Sequence, residues 1–192
     1  MTKPKITVII PTRERAGVLE AALRTATAQT YEGLEIIVSD NCSGDGTDDV
    51  VQRANDSRIR YLNTGRRLSM SHNWEFALGH VHEGWVTFMG DDDGLLPGAI
   101  GRVAEIIAAT QAQVIRTEFC TYDWPGMPNR PQGQLIVPLS SGLEYRSSSQ
   151  WLRKVLEGKA RYSQLPMIYN GGFIHISVLQ RIKEVMGAFF SS

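Results

Sequence analysis

Short apolar runs alternate along this chain with stretches in which apolar residues recur every three or four positions. Lys5 to Ile10 is nearly all apolar, as expected of a central parallel strand covered on both faces. Pro11 ends that run, and the polar loop Thr12-Arg13-Glu14-Arg15 follows. Leu19, Ala22, Leu23 and Ala26 then share one face of a helix. Leu34 to Ser39 predicts a second strand ending at Asp40-Asn41. The tight loop Ser43 to Thr47 leads into a helix that Asp45 or Thr47 would cap, with Asp48 and Asp49 in its first turn. Ile59 to Leu62 predicts a third strand, left by the basic turn Asn63 to Arg67. Ser71 is the predicted N-cap of a helix whose inner face carries Trp74, Ala77, Leu78 and Val81.

The most informative stretch comes next. Trp85 to Met89 reads as a buried strand that stops at Gly90 and delivers three consecutive carboxylates, Asp91, Asp92 and Asp93. Pro97 is expected to open a helix at its first turn, with Ile100, Val103, Ile106 and Ile107 inward. Gln113 to Thr117 predicts a fifth strand. Beyond it the pattern loosens: three prolines and a glycine punctuate Trp124 to Pro131. Gln134 to Leu139 suggests an edge strand, Gln150 to Glu157 a short helix, Asn170-Gly171-Gly172 a turn, and Ile174 to Val185 a last amphipathic stretch. Strands alternating with helices imply an α/β fold, with a mostly parallel central sheet, flanking helices and right-handed crossovers. No repeat or second domain is visible across residues 1–192.

Composition narrows the partners. The chain has 192 residues and is 42% hydrophobic, enough for one sizeable core. Lys+Arg and Asp+Glu both number 20, so no net field draws it to nucleic acid or an anionic membrane. No apolar run approaches a membrane span, and the N-terminus enters a strand without a signal-peptide core. A cytoplasmic location is expected, compatible with peripheral membrane association. Cys42 and Cys120 form neither a metal-ligand spacing nor a disulfide framework.

Three adjacent like charges repel each other and resist desolvation. A hard divalent cation relieves both problems, because carboxylate oxygens are the ligands that Mg²⁺ and Mn²⁺ prefer. A solvated acidic turn is the bland alternative; the core strand leading into the triplet favours the metal. Three strand ends carry polar groups, Thr12 to Arg15, Asp40 with Asn41, and Asp91 to Asp93. In a parallel sheet these ends lie along one edge, where open α/β sheets bind ligands. Acidic groups with a metal, and arginines nearby, suit a nucleotide diphosphate, and Asp40 can accept from a base N–H or a ribose hydroxyl.

The runs Val8 to Arg15, Ile36 to Thr47 and Phe88 to Pro97 together resemble the family 2 glycosyltransferases, which have the Rossmann-like GT-A fold. The likeness is good from residue 5 to about 110 and weak beyond, dividing the domain into a nucleotide-sugar-binding half (1–110) and a partial acceptor half (111–192). The resemblance implies that Pro11, Thr12, Arg13 and Glu14 line the nucleotide pocket. It implies that Asp40, with Asn41, recognises the base, commonly uracil, and that Arg66 or Arg67 sits near the diphosphate. Asn73 matches an asparagine frequent in the helix before the metal strand. Read directly, Asp91 and Asp93 form D-x-D; counted back from Pro97, the family's usual metal ligand falls on Asp92. Gly90 then stands where many members have the first aspartate. Asp92 is favoured as direct ligand, Asp91 toward ribose or a metal-bound water, and Asp93 as support.

What the resemblance implies is a metal-dependent inverting transfer of sugar from a nucleotide-diphosphate donor, UDP-linked by preference, to a saccharide or other hydroxyl. The family's general base commonly follows a segment like Ile176 to Phe189. Here the chain stops three residues after Phe189 and no aspartate follows Asp123. The expectation is a truncated protein whose base lies beyond Ser192, with Asp123 and Glu118 the first alternatives. A sugar nucleotidyltransferase is the second reading, weakened by the absence of glycine from Pro11 to Arg15. A non-catalytic nucleotide-sugar-binding module is the third. Trp74 and Trp85 read as core, Trp124 as a loop anchor or a stacking surface, and His72 as a solvated helix-entry residue.

Overall fold

The computed structural model describes residues 3–123, 125, 126, 128, 132–137, 142–161, 167–169 and 171–190. The strands are β1 (Ile6–Thr12), β2 (Leu34–Asp40), β3 (Ile59–Asn63), β4 (Trp85–Phe88), β5 (Val114–Arg116), β6 (Thr121–Asp123), β7 (Gln134–Ile136) and β8 (Gly172–His175). The helices are α1 (Ala16–Thr27), α2 (Thr47–Ala54), α3 (Met70–Leu78), α4 (Ala99–Thr110), α5 (Ser148–Leu156) and α6 (Ile176–Met186). Six strands form one sheet in the order β3-β2-β1-β4-β8-β5, parallel from β3 to β4, while β8 runs antiparallel to both its neighbours. β6 and β7 form a separate antiparallel pair.

Successive residues of a strand face opposite sides of the sheet, and here both sides are covered. Val8, Ile10, Ile36 and Val38 pack with Leu19 and Leu23 of α1, Val50 of α2, and Ile100, Val103 and Ile107 of α4. Ile9, Ile37, Val86 and Phe88 face the other way, onto Ala77 and Leu78 of α3 and Ile176 and Leu179 of α6. That two-sided burial explains why the central strands are continuous apolar runs. On the α3 side, Phe88 stacks on Trp74 at 4.7 Å between ring centroids, and Phe190 meets both rings edge-on. The Glu75 carboxylate holds that end of the chain by accepting from the Phe189 and Phe190 amides at 2.9 and 3.2 Å.

Several local expectations are corrected. β1 does not stop at Pro11 but runs on to Thr12, with Pro11 level with Ser39. The β1–β4 ladder ends at Ile9 and Phe88, where the Met89 amide bonds the Ile9 carbonyl. Pro11 lies on that same side two residues later, so its missing N–H removes no ladder bond. Pro97 does not open α4, which begins at Ala99 after a left-handed Gly98. Ser69, not Ser71, caps α3, accepting from the His72 amide at 3.3 Å. Gly46 is the N-cap of α2, and Asp45 reaches across to the first amide of α1 at Ala16, 2.8 Å away, while also accepting from Thr47. Ser147 makes a capping box with Gln150, starting α5 earlier than the apolar spacing suggests.

The stretch around Gly171 and Gly172 is the largest departure. It does not simply turn: Gly172 opens β8, which inserts between β4 and β5. Gly171 has φ +90, and a Cβ on Gly172 would run into the Met167 carbonyl. The edge strand expected at Gln134 to Leu139 is observed as Gln134–Ile136; Leu139, like Trp124 and Asn170, lies outside the described residues.

Phe88, 1% exposed, is the side chain that joins β4 to the aromatic cluster. Phe88→Ala is expected to cost about 3–5 kcal/mol of unfolding free energy in urea titrations. Val185→Ala, on the exposed face of α6, should change it by less than about 0.5 kcal/mol.

Candidate active site

Register builds the site. Thr12 pairs with Asp40 across β1 and β2, and Asp40 pairs with Asn63 across β2 and β3. Three polar residues therefore stand level at the carboxyl ends of neighbouring strands. β4 ends beside them, and the Thr12 hydroxyl donates to Asp91 at 2.7 Å. Pro11, Thr12, Asp40, Asn41 and Asp91 are thus brought together.

The three carboxylates part ways. Asp91 is buried, and desolvation pushes its carboxyl above the ordinary range, opposed by the Thr12 hydroxyl and the Arg15 guanidinium. Asp92 is half-exposed. Arg15 bridges the two, Nη1 at 3.1 Å from Asp91 and Nη2 at 2.7 Å from Asp92, and both anions hold its guanidinium firmly charged. Asp93 turns back, accepting from the Gly90 amide and the Tyr169 hydroxyl, each at 3.2 Å. Burial and Asp93 push the Tyr169 phenol up to about 12. Gly90 leaves room for this fold-back: a Cβ there would meet Asp93, Tyr169 and Asp92 oxygens within 2.9 Å.

Asp40 is 1% exposed and saturated with donors. One oxygen accepts from the Ser43 amide (3.0 Å) and hydroxyl (2.6 Å), the other from the Tyr61 hydroxyl (2.6 Å) and the Asn63 amide (2.9 Å). Burial, with Asp40 beside it, pushes the Tyr61 phenol up to about 12. Asn41 is buried and staples the loop between β3 and α3, accepting from the Leu68 amide at 2.7 Å and donating to its carbonyl at 2.8 Å. Asn73 is buried against β2, where Ser39 donates to its side-chain oxygen at 2.8 Å. Glu14, in a left-handed conformation at φ 53, pairs with Arg67 at 2.6 Å, so the loops after β1 and β3 are joined. Among the described residues Arg13 and Arg66 are exposed and make no side-chain hydrogen bond or ion pair.

Sequence reading did not single out Arg15 or Tyr169. Arg15 follows Glu14 in a polar loop and looks solvated; Tyr169 comes from a stretch with no periodic signal, and long-range contacts bring it to β4, its bridge to Phe88 and the Phe88 amide on the Ile168 carbonyl at 2.9 Å. Among the described residues no group of three or more His, Cys, Asp or Glu is arranged to hold a metal ion. Two carboxylates that already converge on one cationic group do, however, match a divalent ion that takes one or two protein carboxylates and completes its shell with water and phosphate.

This sheet has the GT-A fold. The profile described as "Glycosyl transferase family 2" matches residues 7–172, and the chain belongs to that family. It is 40% identical over 105 residues to the GalNAc(5)-diNAcBac-PP-undecaprenol beta-1,3-glucosyltransferase of Campylobacter jejuni, covering 53% of this chain and 34% of that protein. Its fold is similar to that of S. aureus TarS 1–349, at TM-score 0.72 and 17% identity, over 93% of this chain and 49% of that one. The mannosyltransferase PcManGT of Pyrobaculum calidifontis, in complex with GDP-Man and Mn²⁺, matches at TM-score 0.52 and 24% identity, over 62% of this chain and 37% of that one. The chain spans about a third of the length of the curated relative.

Removing the Asp40 carboxylate would orphan the hydroxyl and amide donors gathered on it. Asp40→Ala is therefore expected to lower stability by at least about 1.5–3 kcal/mol, the worth of a hydrogen bond to a charged group. Chemical denaturation measures it, with the exposed Asp48→Ala as the near-neutral comparison.

Proposed function

We propose that this chain carries the donor site of a metal-dependent, inverting glycosyltransferase that takes its sugar from a nucleotide-diphosphate donor, with UDP the preferred nucleotide. The observation that carries the reading is the convergence of Asp91 and Asp92 on one cationic position beside the level strand ends Thr12, Asp40 and Asn63. In this reading residues 1–110 hold the donor and residues 111–192 contribute part of the acceptor side. The family assignment favours transfer over nucleotide-sugar synthesis.

Asp92 and Asp91 would hold Mn²⁺ or Mg²⁺, which when bound supplies charge neutralisation for the departing diphosphate. Thr12 fixes Asp91 through its hydroxyl, so that carboxylate is oriented before any ligand arrives. Asp93, folded onto Gly90 and Tyr169, shapes the turn rather than facing Arg15. Asp40 orients Tyr61, Asn63 and the Ser43 loop, and this cluster is assigned to the base and ribose. Arg13 and Arg66, exposed beside it, and Arg67, held by Glu14, are assigned to the diphosphate. Pro11 and Asn41 shape the pocket floor, and Asn73 fixes α3 to β2 beneath it.

The acceptor is proposed to be a saccharide hydroxyl, the class that the C. jejuni relative's name contains. No helix among the described residues is long and apolar enough to cross a membrane; a cytoplasmic location with peripheral membrane contact belongs to the same proposal.

Asp92→Asn should leave the fold intact, because the side chain is half-exposed, and abolish the metal-dependent part of UDP binding in calorimetry with and without Mn²⁺. Equal metal-dependent affinity in the two proteins would sink the assignment. Asp40→Ala, under conditions where it stays folded, should weaken UDP far more than inorganic diphosphate with Mn²⁺; equal losses would put Asp40 with the metal. UDP release from a UDP-sugar would separate a transferase from a binding module.

A further inference from the structure

We propose that Arg15 is a built-in counter-cation of the carboxylate pair, a positioning residue that keeps a divalent ion out until a nucleotide diphosphate draws its guanidinium away. This inference rests on the metal reading of the same site. Arg15 places one nitrogen on each of Asp91 and Asp92, at 3.1 and 2.7 Å, and so occupies the carboxylates that would hold the ion.

Its own placement makes release feasible. Arg15 lies at the N-cap of α1, but its side chain caps nothing. The helix start is held by its backbone carbonyl, which accepts from the Val18 and Leu19 amides at 3.0 Å each, and by Asp45 on the Ala16 amide. The side chain is 45% exposed, and among the described residues its hydrogen bond and ion pairs are to these two carboxylates. It can leave without disturbing the fold.

Charge then decides the order of events. With Arg15 in place the pair of carboxylates faces one positive charge, and an added Mn²⁺ would bring three positive charges against two negative. With Arg15 withdrawn, the pair and the ion balance. A diphosphate offers the planar guanidinium fork an equivalent bidentate partner. Arg15 can thus exchange two carboxylates for phosphate oxygens, and this exchange couples donor binding to metal binding.

The test is Mn²⁺ binding to the full chain without nucleotide, followed by the loss of the free-ion electron paramagnetic resonance signal. Arg15→Gln should bind Mn²⁺ about tenfold more tightly than the unsubstituted protein, the scale of one charge-assisted hydrogen bond. Arg15→Lys, which keeps the charge, should stay near the unsubstituted value. Adding Asp92→Asn to Arg15→Gln should abolish the gain. Circular dichroism of each variant, unchanged from the parent, verifies the fold. Mn²⁺ affinity that is equal or weaker in Arg15→Gln would overturn the inference, as would a gain that survives Asp92→Asn. Mn²⁺ binding to none of the proteins, even with UDP present, would overturn the inference together with the metal reading. Binding of Mn²⁺ with UDP but no Arg15→Gln effect would overturn the inference alone.

Discussion

The register of β1 against its two neighbours is the constraint on which the site depends. Because Ile6 starts level with Leu34 and with Trp85, Thr12 finishes level with Asp40, and the turn after β4 arrives beside Thr12. A slip of one residue would send every core side chain of β1 to the opposite face. Both faces are packed, so the burial of Val8 and Ile10 on one side and Ile9 on the other excludes that slip. The same packing that stabilises the sheet therefore fixes the distances between polar groups at its edge.

At that edge, burial and charge are set against each other. Asp91 and Asp40 are both carboxylates with almost no exposed surface, which is costly unless donors surround them. Asp40 is satisfied by four neutral donors and forms a closed structural knot with Tyr61, Asn63 and Ser43. Asp91 accepts from the Thr12 hydroxyl and shares a cation with Asp92. The first arrangement is complete without a ligand. The second relies on the charge of Arg15, which is why we propose exchangeable chemistry at the triplet and a recognition frame at Asp40.

Much of this was legible in residues 5 to 110. There the apolar runs are long, helix and strand periods differ clearly, and polar groups sit where the runs stop. The three strand ends follow from that pattern, the family resemblance from the residue motifs those ends carry, and the family match bears the resemblance out. The later part was harder for physical reasons. β8 is four residues long and pairs with segments near residues 85 and 115, so no local period announces it. Its glycines, one left-handed and one pressed against a carbonyl, look like an ordinary turn. Helix starts were misplaced by one or two residues because Ser69 and Ser71, or Asp45 and Gly46, are equivalent in sequence until the backbone shows which is free to cap. The role of Arg15 depends on where the end of a strand some 75 residues later comes to rest, information that neighbouring residues do not carry.

The central claim is that Asp91 and Asp92 form a cation position at the donor site, held in the free chain by Arg15. Crystals grown with UDP and Mn²⁺, measured for anomalous scattering at the manganese edge, test it directly. The account predicts one strong peak in contact with the Asp91 or Asp92 carboxylate oxygens, beside the diphosphate, with the Arg15 guanidinium turned onto phosphate. Nucleotide bound at the strand ends without manganese, and Arg15 still on both carboxylates, would contradict it.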